Sequence, residues 1–193
     1  MIFRGLFSRT PGRTVVAIVI VIGCWLGASK GAGGAEAAVS IPEVRGTSFT
    51  GQAVNLPTDL KGRVGILVVG FSQGSRDAVK DWGVRLSADY EGSAAVVFYE
   101  MPVLAGVPRL LRGYVTGKIK DSVSERGRPH FVPILQNEAG WRTVTGYSIG
   151  DDAYVLVVDG AGVVRWQTHE RVTDQIYFKL KKAVEGLHSG TGH

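Results

Sequence analysis

One cysteine occurs in the 193 residues, Cys24, and it lies inside an apolar run near the N-terminus. The body of the chain therefore holds no pair of thiols, which excludes dithiol–disulfide chemistry there. Metal-ligating spacing is absent too. His130 and His169 are not spaced as a metal pair, and Asp151-Asp152 has no cysteine or histidine beside it in sequence, so no metal is expected. Gly160 and Gly162 sit between two strand-like stretches rather than between a strand and a helix, so they form no dinucleotide fingerprint. No phosphate loop, Ser-His-Asp set or paired-carboxylate spacing stands out, and no cofactor is expected. Basic charge is also scarce on the body. The net charge is +5, of which Arg4, Arg9, Arg13 and Lys30 against Glu36 place +3 on residues 1–37 and leave +2 for the rest. A nucleic-acid-binding domain keeps its basic charge on the folded part, so no nucleic acid is expected as a partner.

The N-terminus supplies the clearest positive signal. Three arginines precede an uncharged run from Thr14 to Ser29, and a small-residue stretch GAGGAEAAVS follows. This pattern admits three readings. Cleavage after Ala37, at the Ala35-Glu36-Ala37 site, makes it a secretory signal. Val21-Ile22-Gly23-Cys24 also has the hydrophobic-small-Cys order of a bacterial lipoprotein site, with lipid on Cys24. The run, extended by its small flanks, also allows an uncleaved anchor. In all three the positive flank stays cytoplasmic and the body crosses the membrane, which puts it on the extracytoplasmic, periplasmic side. The expected organisation is a signal or anchor with a Gly/Ala linker over 1–37, one folded domain over 38–187, and a disordered tail over 188–193.

Within the body, Glu43–Phe49 and Ala53–Leu56 read as a small hairpin. Val64–Phe71 is a continuous β-branched run suited to a strand buried on both faces. Arg76–Ala88 has helical spacing behind a Ser75 cap, and Ala94–Met101 is a second buried strand. The spacing of Leu110, Leu111, Tyr114, Val115, Ile119 and Val123 predicts an amphipathic helix from Pro108 to Glu125. His130–Gln136 reads as a third strand that Pro133 places at an edge or bulge. Asn137–Gly150 has no clear assignment. Ala153–Val158 and Val163–Thr168 flank an Asp159-Gly160-Ala161-Gly162 turn, and a last helix capped at Thr173 or Asp174 runs to about Leu187. Trp82, Trp141 and Trp166 are expected to pack in the core or at strand edges, Trp141 being the most exposed of the three.

A parallel β-α-β start followed by an antiparallel hairpin and a terminal helix is a thioredoxin-type order, an α/β fold with a mixed sheet flanked by helices. In that fold a redox pair sits at the start of the helix after the first central strand. Here Ser72-Gln73-Gly74-Ser75 stands at that place, a Ser-x-x-Ser for a Cys-x-x-Cys. Its two hydroxyls are expected to satisfy helix-start amides. The stretch that would carry the cis-proline, Gly150-Asp151-Asp152-Ala153, has no proline. Both departures exclude a disulfide reductase, peroxidase or isomerase, and no catalytic residue is expected.

GFSQGSRDAVKDW (Gly70–Trp82), FYEMPVLAGVPRLLRGYV (Phe98–Val115) and YVLVVDGAGVVRWQT (Tyr154–Thr168) carry a more specific likeness. With the terminal helix, they resemble the thioredoxin-like assembly factors of the mitochondrial ATP synthase membrane sector and their bacterial relatives. The resemblance implies a chaperone-like role in assembling a hydrophobic synthase subunit, without redox turnover. His169-Glu170 stands where family members tend to have a glycine, and the leader looks bacterial. The surface expected to meet a protein partner combines Ser72, Gln73 and Ser75 with the facing Asp151 and Asp152. Arg109 and Arg112 of the basic helix after Pro108 complete it. The alternatives are an accessory or degenerate member of a thiol–disulfide system and a structural envelope lipoprotein.

Overall fold

The computed structural model describes residues 38–190, so the leader, Cys24 and its three readings lie outside the described residues. Strands β1 (Val44–Thr47) and β2 (Ala53–Leu56) form an antiparallel hairpin with Val44 opposite Leu56. The main sheet has four strands in the order β4-β3-β5-β6. Strand β3 (Val64–Gly70) runs parallel to β4 (Val96–Pro102) and antiparallel to β5 (Ala153–Val158). Strand β6 (Val164–Thr168) closes the other edge against β5. Helix α1 (Arg76–Tyr90) makes the parallel crossover from β3 to β4, and α4 (Asp174–Gly190) ends the domain.

The unbroken apolar run of β3 is explained by cover on both faces of the sheet. Leu67 and Val69 point into a cluster with Val54, Leu56, Met101 and Trp141. Ile66 and Val68 point the other way, toward Trp82 and Leu86 of α1 and Ile176 and Leu180 of α4. Each such aliphatic side chain contributes about 1.5–3 kcal/mol by leaving water. Among the described residues, the buried residues of the two clusters run from Ile41 to Val184, within the compact unit Ala35–His193. Thr173 caps α4 as expected, its Oγ1 accepting from the Ile176 amide at 3.3 Å. The helix then runs through His188 to Gly190, past the end expected at Leu187.

Three local expectations are corrected. His130–Gln136 is not a strand. A single 3-10 turn (Arg128–His130) is followed by isolated parallel bridges, Phe131 to Glu100 of β4 and Ile134 to Val103 just past it, because Pro133 between them has no amide to continue a ladder. Asn137–Gly150 contains a helix, α3 (Glu138–Thr145). Asn137 takes a left-handed conformation and accepts from the Gly140 amide, and Gly146, also left-handed, closes the far end. That helix turns Trp141 fully into the core, so the indole expected to be the most exposed has no accessible surface.

The third correction concerns the helix after Pro108. It is present as α2 (Arg109–Ser122) but buries no residue. At about 100° per residue, its apolar positions drift through roughly 200° from Leu110 to Val123, too wide for one contact face. The domain takes the side with Val115, Ile119 and Val123, which are half-buried. Leu110, Leu111 and Tyr114 are left 97%, 53% and 68% exposed. No helix among the described residues is long and apolar enough to cross a membrane.

Candidate functional site

The site is built where β3 ends and α1 begins. Ser75 is buried, and its hydroxyl donates to the Ser72 carbonyl at 2.9 Å. It does so directly over Gly70, where a Cβ would come within 2.7 Å of Ser75 Oγ, so a glycine ends the strand. Ser72 is exposed. Its Oγ accepts from the Ser75 amide at 3.2 Å and donates to Asp151 Oδ1 at 2.8 Å. Only one of the two hydroxyls therefore serves a helix-start amide; the other bonds back to the turn.

Asp151 comes from the loop between α3 and β5, and two features hold it there. Gly74 presents no side chain, and a Cβ at that position would collide with the Asp151 carboxylate. The Tyr154 hydroxyl, buried at the start of β5, accepts from the amides of Ser148 and Ile149 at 2.8 Å each and donates to the Ile149 carbonyl at 3.0 Å. Asp152 has a partner that its sequence neighbourhood does not show. Its Oδ2 lies 2.9 Å from His169 Nδ1 just past β6, and the imidazole stacks on Tyr154 at 5.6 Å. Around these groups Phe71 packs edge-on against Tyr147 at 4.8 Å. The Arg142 guanidinium lies 3.8 Å from the Tyr147 ring centre while bonded to Glu138 Oε1. Ile149 is 52% exposed beside them.

The fold thus brings together Ser72, Ser75 and Asp151, joins Asp152 to His169, and leaves Gln73 exposed on the same turn. Arg109 and Arg112 stay with α2. Arg109 is exposed, whereas the guanidinium of Arg112 is committed to the carbonyls of Val107 and Ala105 at 2.8 and 2.7 Å, fastening the loop that leads into the helix. Sequence reasoning passed over Gly74, Arg142 and Glu100. For Glu100 a signal was present: it is the one charge in the strand AAVVFYEM. Its carboxyl is buried on the α1 side of β4 against Gly83, and burial pushes it up to about 8.

Chemically, this is a serine–carboxylate pair beside a histidine–carboxylate pair. The Ser72 hydroxyl donates to the Asp151 carboxylate, and the imidazole is bonded to Asp152 rather than to Ser72, so these residues do not form a serine–histidine pair. The described residues contain no group of three or more His, Cys, Asp or Glu side chains placed to hold a metal. Replacing both serines by cysteine tests the inhibitory geometry. In Ser72→Cys/Ser75→Cys the Asp151 carboxylate faces the exposed thiol and opposes its ionisation. The expected thiol pKa, read by iodoacetamide alkylation against pH, is about 8.5 or higher, falling once Asp151→Ala is added.

No family model matches the chain, and no curated protein is similar to it in sequence. Solved structures do match. A protein assigned as the thiol:disulfide interchange protein DsbE of Chlorobium tepidum is 15% identical, with a TM-score of 0.54 over 78% of this chain and 96% of that one. The exposed lipoprotein thioredoxin Etrx1 of Streptococcus pneumoniae is 11% identical, with a TM-score of 0.52 over 73% and 99%. The thioredoxin domain of a thiol-disulfide oxidoreductase from Bacteroides vulgatus is 16% identical, with a TM-score of 0.51 over 77% and 98%. Taken with the strand order β4-β3-β5-β6 and the serine pair at the head of α1, these matches give the chain the thioredoxin-like fold.

Proposed function

We propose that this chain is a redox-inactive thioredoxin-like protein at the extracytoplasmic face of a membrane, where it binds a protein partner and assists assembly of a membrane complex such as ATP synthase. The observation that carries the reading is the Ser72–Asp151 hydrogen bond at 2.8 Å. Serine stands where the fold's redox pair would begin, and its hydroxyl is held by a carboxylate, which supports reading this end of the sheet as a contact surface without dithiol chemistry. Ile149, Phe71, Tyr147 and the exposed Gln73 supply the mix of apolar and polar contact that suits a peptide segment. The resemblance of Gly70–Trp82, Phe98–Val115 and Tyr154–Thr168 to the ATP synthase assembly factors favours a synthase subunit as the partner. The apolar leader favours the extracytoplasmic side, and so does the fold likeness to an exposed lipoprotein thioredoxin.

A second reading, an accessory of a thiol–disulfide system, draws on the fold likeness to an interchange protein and an oxidoreductase. One experiment separates them. The chain is tagged at native expression, briefly cross-linked in membranes, gently solubilised and purified for mass spectrometry. The assembly reading expects ATP synthase membrane-sector subunits. Recovery of thiol oxidoreductases in their place moves the function to the second reading, and recovery of abundant envelope proteins alone rejects both.

A further inference from the structure

We propose that the outward face of α2 is a seat for the anionic headgroup surface of a lipid bilayer, separate from the protein-binding end of the sheet. The first observation is the exposed apolar trio already described, Leu110, Leu111 and Tyr114, on the N-terminal two turns of a helix that buries nothing. Gly113 and Gly117 lie on the outward arc as well. A Cβ at either would meet open space, so the face is flat as well as uncovered.

The second observation is where the charge is. Arg109, Arg112, Lys118 and Lys120 against Asp121 give this one helix a formal +3, while residues 38–193 together carry +2. The remainder of the domain is therefore slightly acidic, and its positive field is concentrated on α2. Arg112 is turned inward to its two carbonyls, but Arg109, Lys118 and Lys120 are exposed and have no ion-pair partner among the described residues. At about 100° per residue, Lys118 falls between Tyr114 and Leu111, inside the exposed apolar arc, and Arg109 and Lys120 lie together beyond its Leu110 side. Lys118 Nζ sits over the Tyr114 ring, 5.7 Å from its centre.

Exposed leucines with one free cation among them and two along one side, beside an exposed tyrosine, form the pattern of a helix lying in a membrane interface. A water-facing helix has no reason to expose Leu110 almost completely, and a neutral apolar partner gives the cations nothing to meet. An anionic bilayer satisfies both. In two of the three readings of the leader the chain also stays at the membrane, which brings this face within reach of one.

The test uses residues 35–193, the compact unit that contains both described core clusters, so that binding reports the domain alone. It is floated with vesicles of phosphatidylcholine and with vesicles of phosphatidylcholine mixed with phosphatidylglycerol. Flotation with the mixed vesicles only, weakening as salt is added, is the expected result. Arg109→Glu/Lys118→Glu/Lys120→Glu lowers partitioning by about fivefold or more per cation removed. Leu110→Ser/Leu111→Ser lowers it by about tenfold or more. Because α2 buries nothing, both variants keep the wild-type far-ultraviolet spectrum and melting temperature. As an independent readout, Leu110→Trp gains blue-shifted emission that brominated lipid quenches. Absence of flotation with anionic vesicles overturns the proposal, as does flotation indifferent to both variants. A dimer in sedimentation velocity that Leu110→Ser dissolves, or a protein captured through Leu110, overturns it when vesicle binding is absent.

Discussion

Replacing Glu100 by glutamine raises the folding stability above pH 8 by about 2–5 kcal/mol and leaves stability at pH 4 nearly unchanged. The argument starts from position. Glu100 lies on β4 with its carboxyl under α1, where Gly83 leaves just enough room for it. Burial penalises the ionised form and pushes the folded carboxyl from 4.5 up to about 8. In the unfolded chain the same group ionises at its ordinary value. Below about pH 4.5 both states hold the proton, and the favourable difference is fully present. As pH rises toward 8 the unfolded state has released its proton while the folded state still holds it, so wild-type stability declines. Above 8 both are ionised and the loss is complete. The rise from 4.5 to about 8 sets an upper bound near 5 kcal/mol, which relaxation and water penetration reduce. Glutamine has the same shape and cannot ionise, so the slope of stability against pH between about 4.5 and 8 should flatten. Urea unfolding at a series of pH values measures it, and parallel curves for the two proteins would refute the assignment.

Tyr154→Phe is expected to cost about 1–3 kcal/mol while leaving the core packing intact. The ring stays buried against Phe71, with centroids 5.5 Å apart, but the hydroxyl holds three backbone groups of Ser148 and Ile149. Removing it leaves two amides and a carbonyl without their partner, and frees the loop that carries Ile149, Asp151 and Asp152. Hydrogen exchange at Ser148 and Ile149 should quicken by about tenfold or more, since 1.4 kcal/mol corresponds to a factor of ten. Ser72→Ala removes two hydrogen bonds at an exposed turn, one to Asp151 and one from the Ser75 amide, so its stability cost should stay within about 2 kcal/mol. The proposed partner surface makes a further demand: cross-linked recovery of the partner falls with Tyr154→Phe. Unchanged recovery with a demonstrably loosened loop would move the partner site elsewhere on the domain.

The elements whose residues contact near neighbours, or bury all sides, were legible without coordinates. VGILVVG can only be a strand covered on both faces, and Asp159-Gly160-Ala161-Gly162 can only turn: the Asp159 side chain accepts from the Ala161 and Val163 amides at 2.9 and 3.0 Å. Helix α3 was harder to see because its stop and start signals, Asn137 and Gly146, both work through left-handed backbone conformations over only eight residues. Periodicity in so short a window is ambiguous, and the burial of Trp141 followed from that helix rather than from its own neighbours. On α2 the apolar positions were read correctly as helical. Which of them meet the domain is a matter of what the domain presents, and spacing along one segment carries no record of it.

By itself the sequence determined what this protein does not do: with one cysteine, and that one at position 24, the body cannot perform dithiol chemistry in any conformation. It also determined the order of the hairpin, strands β3 to β6 and helices α1, α2 and α4, though not α3 or the absence of a strand at His130–Gln136, because hydrophobic period and turn residues act over a few positions. The thioredoxin-type order already set Asp151 and Asp152 facing Ser72, but only the tertiary structure decided that Asp151 takes its hydroxyl proton in a hydrogen bond and that Asp152 turns to His169 instead. It alone decided that Glu100 loses its water and that Leu110 keeps it. These depend on distances between segments that the sheet brings together, and a pattern read along one segment cannot contain them.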